Sequence, residues 1–252
     1  MILLKAKILT LKKINFSLLL IGHLSICQSQ SIEKKEINRY FDQSVGTQIL
    51  GINNGKIHID PYTYKQEQHN YYLNKNFIIG SVFYDNQLYE NIMIKYDIYK
   101  DELVKSFEKS NSFGITLITE KVVYFLIDNH KFINSASTFS KSKVLPGFIE
   151  EKYLGKTISF YIKHSKSAKD AIVGTTLYTE FKEATTHQLL YNFELKTINT
   201  QKEITTLFPL LKSEIKNYYR VNKVSQENNA DQFKADLIQF IDQNLPSTST
   251  KI

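Results

Sequence analysis

The first candidates for chemistry are two histidines and an aspartate that lie close together in the sequence. His58 and Asp60 are two residues apart, so an extended backbone places both side chains on one face, and His69 follows closely enough to return beside them. Such a group is suited to a metal ion or to hydrolysis. No His-x-x-x-His spacing or Cys pair supports a metal, so we expect none. The alternative is a strand-end histidine and a turn-forming aspartate before Pro61.

Four tyrosines crowd the same stretch, which is polar from Asp60 to Asn76 and predicts a loop. Aromatic rings on a loop can stack on sugars or anchor a protein partner, so we predict ligand binding here. The chain has no Trp, which weakens the sugar hypothesis. The alternative is that the rings fold back over a sheet and cover its core. The predicted binding residues are Tyr62, Tyr64, Tyr71 and Tyr72.

A second group of carboxylates follows at Asp97, Asp101 and Glu102. Paired carboxylates perform acid–base chemistry in a cleft. Here Asp97 falls on the polar side of an alternating segment and the other two follow Lys100 in a turn, so we interpret them as a solvated sheet face. No Gly-x-Ser-x-Gly elbow and no Gly-rich phosphate loop is present, so no cofactor is expected.

The charge pattern argues against nucleic-acid binding. The chain has 252 residues, with 32 basic and 25 acidic side chains, and its net charge is +7. Four of the lysines lie in residues 1–27, without which the net charge is +3. Only Arg39 and Arg220 are arginines, although arginine is the residue that best recognises phosphate and base edges. No run of 18 apolar residues occurs, so we expect no transmembrane span.

Residues 1–27 have the pattern of a signal peptide. A Lys-rich start is followed by a 13-residue, largely apolar stretch from Ile14 to Ile26 that His23 interrupts, and the chain turns polar at Gln28. We predict cleavage before Gln28 and export to the periplasm, the outer-membrane surface or the extracellular space. One alternative makes Cys27 the lipidated first residue of a lipoprotein, and another makes the segment a buried N-terminal helix. Cys27 is the single cysteine, so no intramolecular disulfide is expected.

Patterns of period two predict strands along the middle of the chain. Asp85-Asn86 is a turn between two strands, and residues 92–99 alternate between apolar and mixed positions. A similar hairpin surrounds Asp128-Asn129, either as a weak repeat or because both turns need the same chemistry. Further strands are predicted at residues 157–162, 175–181 and 189–198, and exposed loops at residues 135–142 and 164–170.

Helical spacing of apolar residues occurs at both ends of the chain that follows the predicted signal peptide. Ile32, Ile37, Tyr40 and Phe41 predict a short N-terminal helix. After Thr200 two apolar stripes predict a helical pair that either packs on the sheet or docks a partner. Asn228 or Asn229 is suited to cap the second helix, and Pro209 to begin the first. The stripes are Leu211, Ile215, Tyr218 and Tyr219, and then Phe233, Leu237, Phe240 and Ile241.

These elements predict an α+β fold with a mainly antiparallel β-sheet, flat or curled, and a C-terminal helical pair. The predicted organisation is a signal peptide over residues 1–27, a β-rich domain with a short N-terminal helix over residues 28–199, and a helical segment packed on it over residues 200–252.

Several segments together form a pattern that extends over most of the chain after residue 27. They are residues 80–89 and 95–104, Asn54-Gly55-Lys56, Gly147-Phe148-Ile149-Glu150, Leu154-Gly155-Lys156 and Leu207-Phe208-Pro209. In these segments the chain resembles uncharacterised exported proteins of Bacteroidetes, although Asn86 stands where we expect Gly. The resemblance implies an envelope or extracellular location and no activity.

Together, these patterns favour an exported, non-catalytic protein that binds an envelope protein or a small ligand. One alternative is an exported hydrolase that uses His58, Asp60 and His69. The other is a carrier of apolar ligands, which requires the sheet to curl around a cavity.

Overall fold

The computed structural model describes residues 51–65, 68–107, 113–139 and 146–245. The predicted signal peptide and the predicted helix near Ile37 lie outside these residues. The described chain forms one antiparallel sheet of eleven strands, followed by helices, which confirms the predicted α+β fold. The strands are β1 (Lys56–His58), β2 (Ile78–Tyr84), β3 (Gln87–Asp97), β4 (Glu102–Ser106), β5 (Gly114–Thr116), β6 (Val122–Ile127), β7 (His130–Asn134), β8 (Phe148–Leu154), β9 (Ile158–Val173), β10 (Thr176–Tyr191) and β11 (Glu194–Thr197).

The strand order is β1-β5-β4-β3-β2-β6-β7-β8-β9-β10-β11. The sheet does not close on itself in the described part of the chain, so the curled alternative is not adopted. Both Asp-Asn turns form as predicted: the φ angles are 50° and 64° at Asp85 and Asn86, and 48° and 62° at Asp128 and Asn129. Two consecutive positive φ angles suit the right-handed twist of a two-residue hairpin. The two hairpins are neighbours, because β2 pairs with β6.

The longest hairpin was only partly predicted. β9 and β10 have 16 residues each and pair along their whole length. The predicted loop at residues 164–170 is therefore wrong. Residues 167–170 of β9 are all exposed, so this polar stretch carries no alternation and looks like a loop, whereas its backbone hydrogen bonds to β10 continue. The predicted loop at residues 135–142 is also wrong in part: Ser135–Thr138 forms helix α1, and Asn134 caps it by accepting from Ala136 N.

Four helices follow the sheet, where a pair was predicted. They are α2 (Gln201–Leu207), α3 (Lys212–Val221), α4 (Lys223–Asn228) and α5 (Ala230–Asn244). Pro209 begins a 3-10 turn that leads into α3, and Asn229 caps α5 by accepting from Gln232 N at 3.0 Å. None of the described helices is both long and apolar enough to cross a membrane.

The helices share a core with the last long strands. Both predicted stripes contribute: Ile215 from α3 and Leu237 from α5 are fully buried against Phe160 of β9 and Leu189 of β10. Burial of this apolar surface is the main force that holds the helices to the sheet.

Asp242 of α5 fastens the same helix to the turn between β8 and β9. Its carboxylate accepts hydrogen bonds from the backbone N–H groups of Lys156, Thr157 and Ile158 at 2.9–3.1 Å. It also accepts from the Tyr153 hydroxyl at 3.0 Å. The C-terminal helix is therefore fixed by directional bonds as well as by its apolar face.

Candidate functional site

His58 is the last residue of β1, and the other predicted site residues lie on the segment that connects β1 to β2 across the face of the sheet. Two isolated bridges hold this segment: Tyr71 pairs with Asp97 at the end of β3, and Tyr64 pairs with Thr179 on β10. Lys166 of β9 adds two more bonds, because its ammonium donates to the carbonyls of His69 and Tyr71 at 2.8 Å each. The segment is a loop, as predicted, but it is attached at several points.

A chain of hydrogen bonds joins His58 to Asp60 through a tyrosine that stands between them. The Tyr71 hydroxyl donates to Asp60 Oδ2 at 2.8 Å and lies 2.8 Å from His58 Nε2. The Tyr64 hydroxyl contacts the same Asp60 oxygen and, at 2.7 Å, Asn70 Oδ1. Asn70 Nδ2 donates to Asp97 Oδ2 at 2.5 Å. We call this group the Tyr–Asp network: His58, Asp60, Tyr64, Asn70, Tyr71 and Asp97.

His58 is a weak base in this setting. Burial, together with the nearby Lys95 ammonium, lowers the pKa of His58 to about 4. The imidazole is therefore neutral at neutral pH. Nε2–H donating to Tyr71, with Nδ1 accepting from Thr116 Oγ1 at 3.3 Å, is the tautomer that satisfies both ring nitrogens. Neither nitrogen remains to take a proton from a substrate.

His69 does not join His58 and Asp60 around a common point. It is 5% exposed, and its Nδ1 accepts from the backbone N–H of Tyr71 at 3.2 Å. Within the described ranges, no three His, Cys, Asp or Glu side chains are arranged to hold a metal ion.

The interpretation of Asp97 as part of a solvated sheet face is wrong. Asp97 is fully buried, since the connecting segment covers that end of β3. Burial raises the pKa of Asp97, and the hydrogen bonds from the backbone N–H groups of Tyr99 and Lys100 oppose this shift. Asp101 is half-buried and also bound: it accepts from the Tyr96 hydroxyl at 2.5 Å and from Lys163 Nζ at 2.7 Å. Both carboxylates therefore stabilise the fold through their hydrogen bonds.

The four predicted binding tyrosines separate into two pairs. Tyr71 and Tyr72 are 1% and 5% exposed, so they cover the core, as in the alternative interpretation. They are adjacent on an extended segment and contact different groups: Tyr71 belongs to the Tyr–Asp network, whereas Tyr72 packs edge-on against Phe132. Tyr62 and Tyr64 are half-buried, and for these two ligand binding remains a prediction.

Tyr62 belongs to a small aromatic patch that solvent reaches. Its ring packs edge-on against Phe181 at 5.1 Å and against Tyr99 at 6.0 Å between centroids. The Lys100 ammonium lies 5.6 Å from the Tyr62 centroid, within the range of a cation–π contact. We call Tyr62, Tyr64, Tyr99 and Lys100 the aromatic surface.

A buried ionic cluster was missed by the sequence analysis. Glu150 of β8 is 3% exposed and lies 2.7 Å from both His130 Nδ1 and His164 Nε2. Burial opposes ionisation of Glu150, but the hydrogen bonds from the two histidines outweigh it and hold its pKa well below the ordinary value. Burial lowers the pKa of His164, and the contacts with Glu150 and Glu183 more than compensate, so the pKa is raised. We call Glu150, His130 and His164 the His–Glu cluster.

The sequence did contain a pattern that leads to His164. Ile158, Phe160 and Ile162 alternate along β9, and His164 occupies the next position on the same buried face. The change in composition after Ile162 concealed this continuation.

The comparisons with known proteins assign no function to this geometry. No family profile, no curated protein and no solved structure matches the sequence.

Proposed function

We propose that this chain is an exported, non-catalytic protein that binds an envelope protein or a small ligand through the aromatic surface. The observation that carries the proposal is that Tyr62, Tyr64 and Tyr99 remain accessible although their positions are fixed. Phe181 supports the Tyr62 and Tyr99 rings from below, and Asp60 holds the Tyr64 hydroxyl. Rigid, amphipathic rings lose little conformational entropy on binding, which is why they are frequent in binding sites.

The state of the histidines supports a non-catalytic role. A hydrolase at His58 and Asp60 needs a base with a free nitrogen near neutral pH. His58 has a pKa of about 4 and both nitrogens engaged, and His69 bonds to the backbone. We therefore rank the hydrolase alternative second.

The carrier alternative ranks third, because aromatic rings fill the sheet face on which an apolar ligand would lie. Tyr96, Phe125, Phe132 and Phe148 are each less than 2% exposed, and their ring centroids are 4.9–5.8 Å apart. A ligand in their place would have to displace this packing.

Export is tested by the mass of the protein recovered from the secreting cell. We expect a chain that begins at Gln28, since the apolar stretch before it has the length that signal peptidases process. Leu19→Asp interrupts this stretch and should block processing, whereas the control Leu19→Ile should not. A diacylglyceryl-modified Cys27 would replace cleavage with the lipoprotein alternative, and retention of residues 1–27 would contradict export.

Binding is tested by removing one ring from the aromatic surface. We expect Tyr62→Ala to weaken binding to the envelope fraction of the source cells by about tenfold or more, because a buried aromatic anchor contributes about 2 kcal/mol or more. Binding is measured with the immobilised protein, and the captured component is identified by crosslinking and mass spectrometry.

The matched control for this experiment is Phe193→Ala. Phe193 is an aromatic residue that is completely exposed, and it lies in the turn between β10 and β11. This variant should bind as the parent does. Equal binding by the Tyr62→Ala variant, with its circular dichroism spectrum unchanged, would contradict the proposed surface.

A further inference from the structure

The C-terminal helices line an open cleft of about 570 Å³. α3, α4 and α5 line it together with the segment that leads into α2. Lys216, Tyr219 and Arg220 follow the i, i+3, i+4 spacing on α3, so all three belong to one face of that helix. We call this the basic cleft, lined by Lys216, Tyr219, Arg220, Lys223, Phe233 and Lys234.

The lining of the basic cleft is positive and contains no carboxylate. Four of the described lining residues are cations, and none is acidic. Of the two arginines of the chain, Arg39 lies outside the described residues, whereas Arg220 lines this cleft. Almost all the other cations of the chain are lysines, so the presence of an arginine here favours a phosphate ligand. A guanidinium binds two oxygens of one phosphate in a planar arrangement.

Within the part of the chain that the structure describes, most of this positive charge has no close counter-charge. Arg220 donates to the neutral Asn217 amide at 2.7 Å, and Lys216 has no ion pair within the described residues. Lys223 lies 3.8 Å from Glu227, but both side chains are largely exposed, so the pair contributes little.

Lys234 is fixed in position by neutral acceptors. Its ammonium donates to His187 Nδ1 at 2.8 Å and to the Asn199 carbonyl at 3.1 Å. Two carboxylates moderate the charge at this end of the cleft: Asp231, which lies 2.7 Å from His187 Nε2, and Glu203, which accepts from Thr200 N at 2.7 Å. The cleft is therefore most positive around Lys216, Arg220 and Lys223.

Aromatic rings give the basic cleft an apolar side. Tyr219 and Phe233 both line it: Tyr219 is half-buried, whereas Phe233 is 2% exposed and supports the Tyr219 ring edge-on, with the centroids 4.9 Å apart. Gln201 and Gln226 add neutral amides that can bond to hydroxyl or carbonyl groups. The volume is typical of sites for small organic molecules.

We propose that the basic cleft binds a soluble small molecule that carries at least two negative charges on phosphate groups. Arg220 binds one phosphate with two parallel N–H···O bonds, and Lys216 and Lys223 neutralise the remaining charge. The half-buried Tyr219 ring contacts the organic part of the ligand. This site is separate from the aromatic surface, so either proposal can fail without the other.

The first test is a calorimetric titration of the full chain with inorganic pyrophosphate at about 50 mM salt, where surface charges are weakly screened. We expect saturable binding that weakens as salt is added. Arg220→Lys keeps the charge but loses the planar pair of donors, so it should weaken binding by about tenfold. The control Lys212→Ala removes an exposed cation from the same helix, outside the cleft lining, and should leave binding unchanged.

Three results would overturn the proposal: no binding of pyrophosphate, an unchanged affinity in the Arg220→Lys variant, or an equal loss in Lys212→Ala. Thermal unfolding of the Arg220→Lys variant, which changes an exposed side chain, verifies that the fold is retained. A phosphate on a lipid headgroup offers the same chemistry, so a second arm uses phosphatidylcholine vesicles that contain phosphatidic acid. We expect no sedimentation with these vesicles. Binding to them that pyrophosphate does not displace would contradict a soluble ligand.

Discussion

Glu150→Gln is expected to lower the free energy of unfolding by about 3–5 kcal/mol near pH 6, because it removes one charge from a buried ionic group. In the parent, Glu150 lies between His130 and His164 and is 3% exposed. The amide that replaces it offers a single acceptor oxygen to two histidines, and it carries no charge to match the His164 imidazolium. Denaturant unfolding followed by circular dichroism measures the loss.

The cluster also predicts how this loss depends on pH. The pKa of Glu150 is lowered from 4.5, so its contribution is present above that value and is lost as the pH falls further. The pKa of His164 is raised from 6.5, so its contribution is complete below 6.5 and is lost as the pH rises through the higher folded value. The difference between parent and Glu150→Gln should therefore be largest between these two reference values and smaller at about pH 9.

A neighbouring carboxylate supplies the control. Glu151 lies one residue along β8 and pairs with Lys131 at 2.8 Å in a partly exposed position. Glu151→Gln should cost about 1 kcal/mol or less. Equal losses in the two variants, or a difference that does not change between about pH 6 and pH 9, would contradict the buried ionic cluster.

Leu237→Ala is expected to cost roughly 2–5 kcal/mol, because it leaves a cavity in a core that cannot fully collapse. Leu237 is fully buried in the cluster that joins α5 to β9 and β10. If the helical stripes were instead reserved for a partner, the isolated protein would barely respond to this change and would expose an apolar patch.

The control for Leu237 is a leucine in the same helical region that contacts solvent. Leu210 is 76% exposed, so Leu210→Ala should change the free energy of unfolding by about 0.5 kcal/mol or less. The core assignment would be rejected if Leu237→Ala lost less than about 1 kcal/mol in a single unfolding step.

Local patterns predicted the parts of the fold that local forces determine. Asp85-Asn86 and Asp128-Asn129 form tight turns because these residues tolerate positive φ in any context. The stripe from Phe233 to Ile241 formed a helix because its spacing suits one buried face. In both cases the residues that decide the structure are neighbours in the sequence.

Long-range contacts decided what could not be predicted. Asp97 is buried by the segment around Tyr71, which lies about 26 residues earlier in the chain and folds across the end of β3. The alternation of residues within β3 cannot predict that this segment covers Asp97. The period of two predicted that His58 and Asp60 point to the same side of the extended segment, and both contact the Tyr71 hydroxyl. That hydroxyl comes from a later part of the chain, which the pattern could not predict. The outer half of β9 was missed for a different reason: its residues 167–170 are exposed, so strand pairing with β10 holds it without a buried apolar face of its own.

The bonds of Asp242 have a consequence for how the chain folds during synthesis. They join residues that are 84–86 positions apart, so the turn between β8 and β9 receives its partner only when the last helix has been made. Until then, the apolar side of β9, with Ile158, Phe160 and Ile162, lacks the part of its cover that α5 supplies. Closing so long a loop delays folding, and until α5 docks, this partly uncovered apolar face is prone to aggregation.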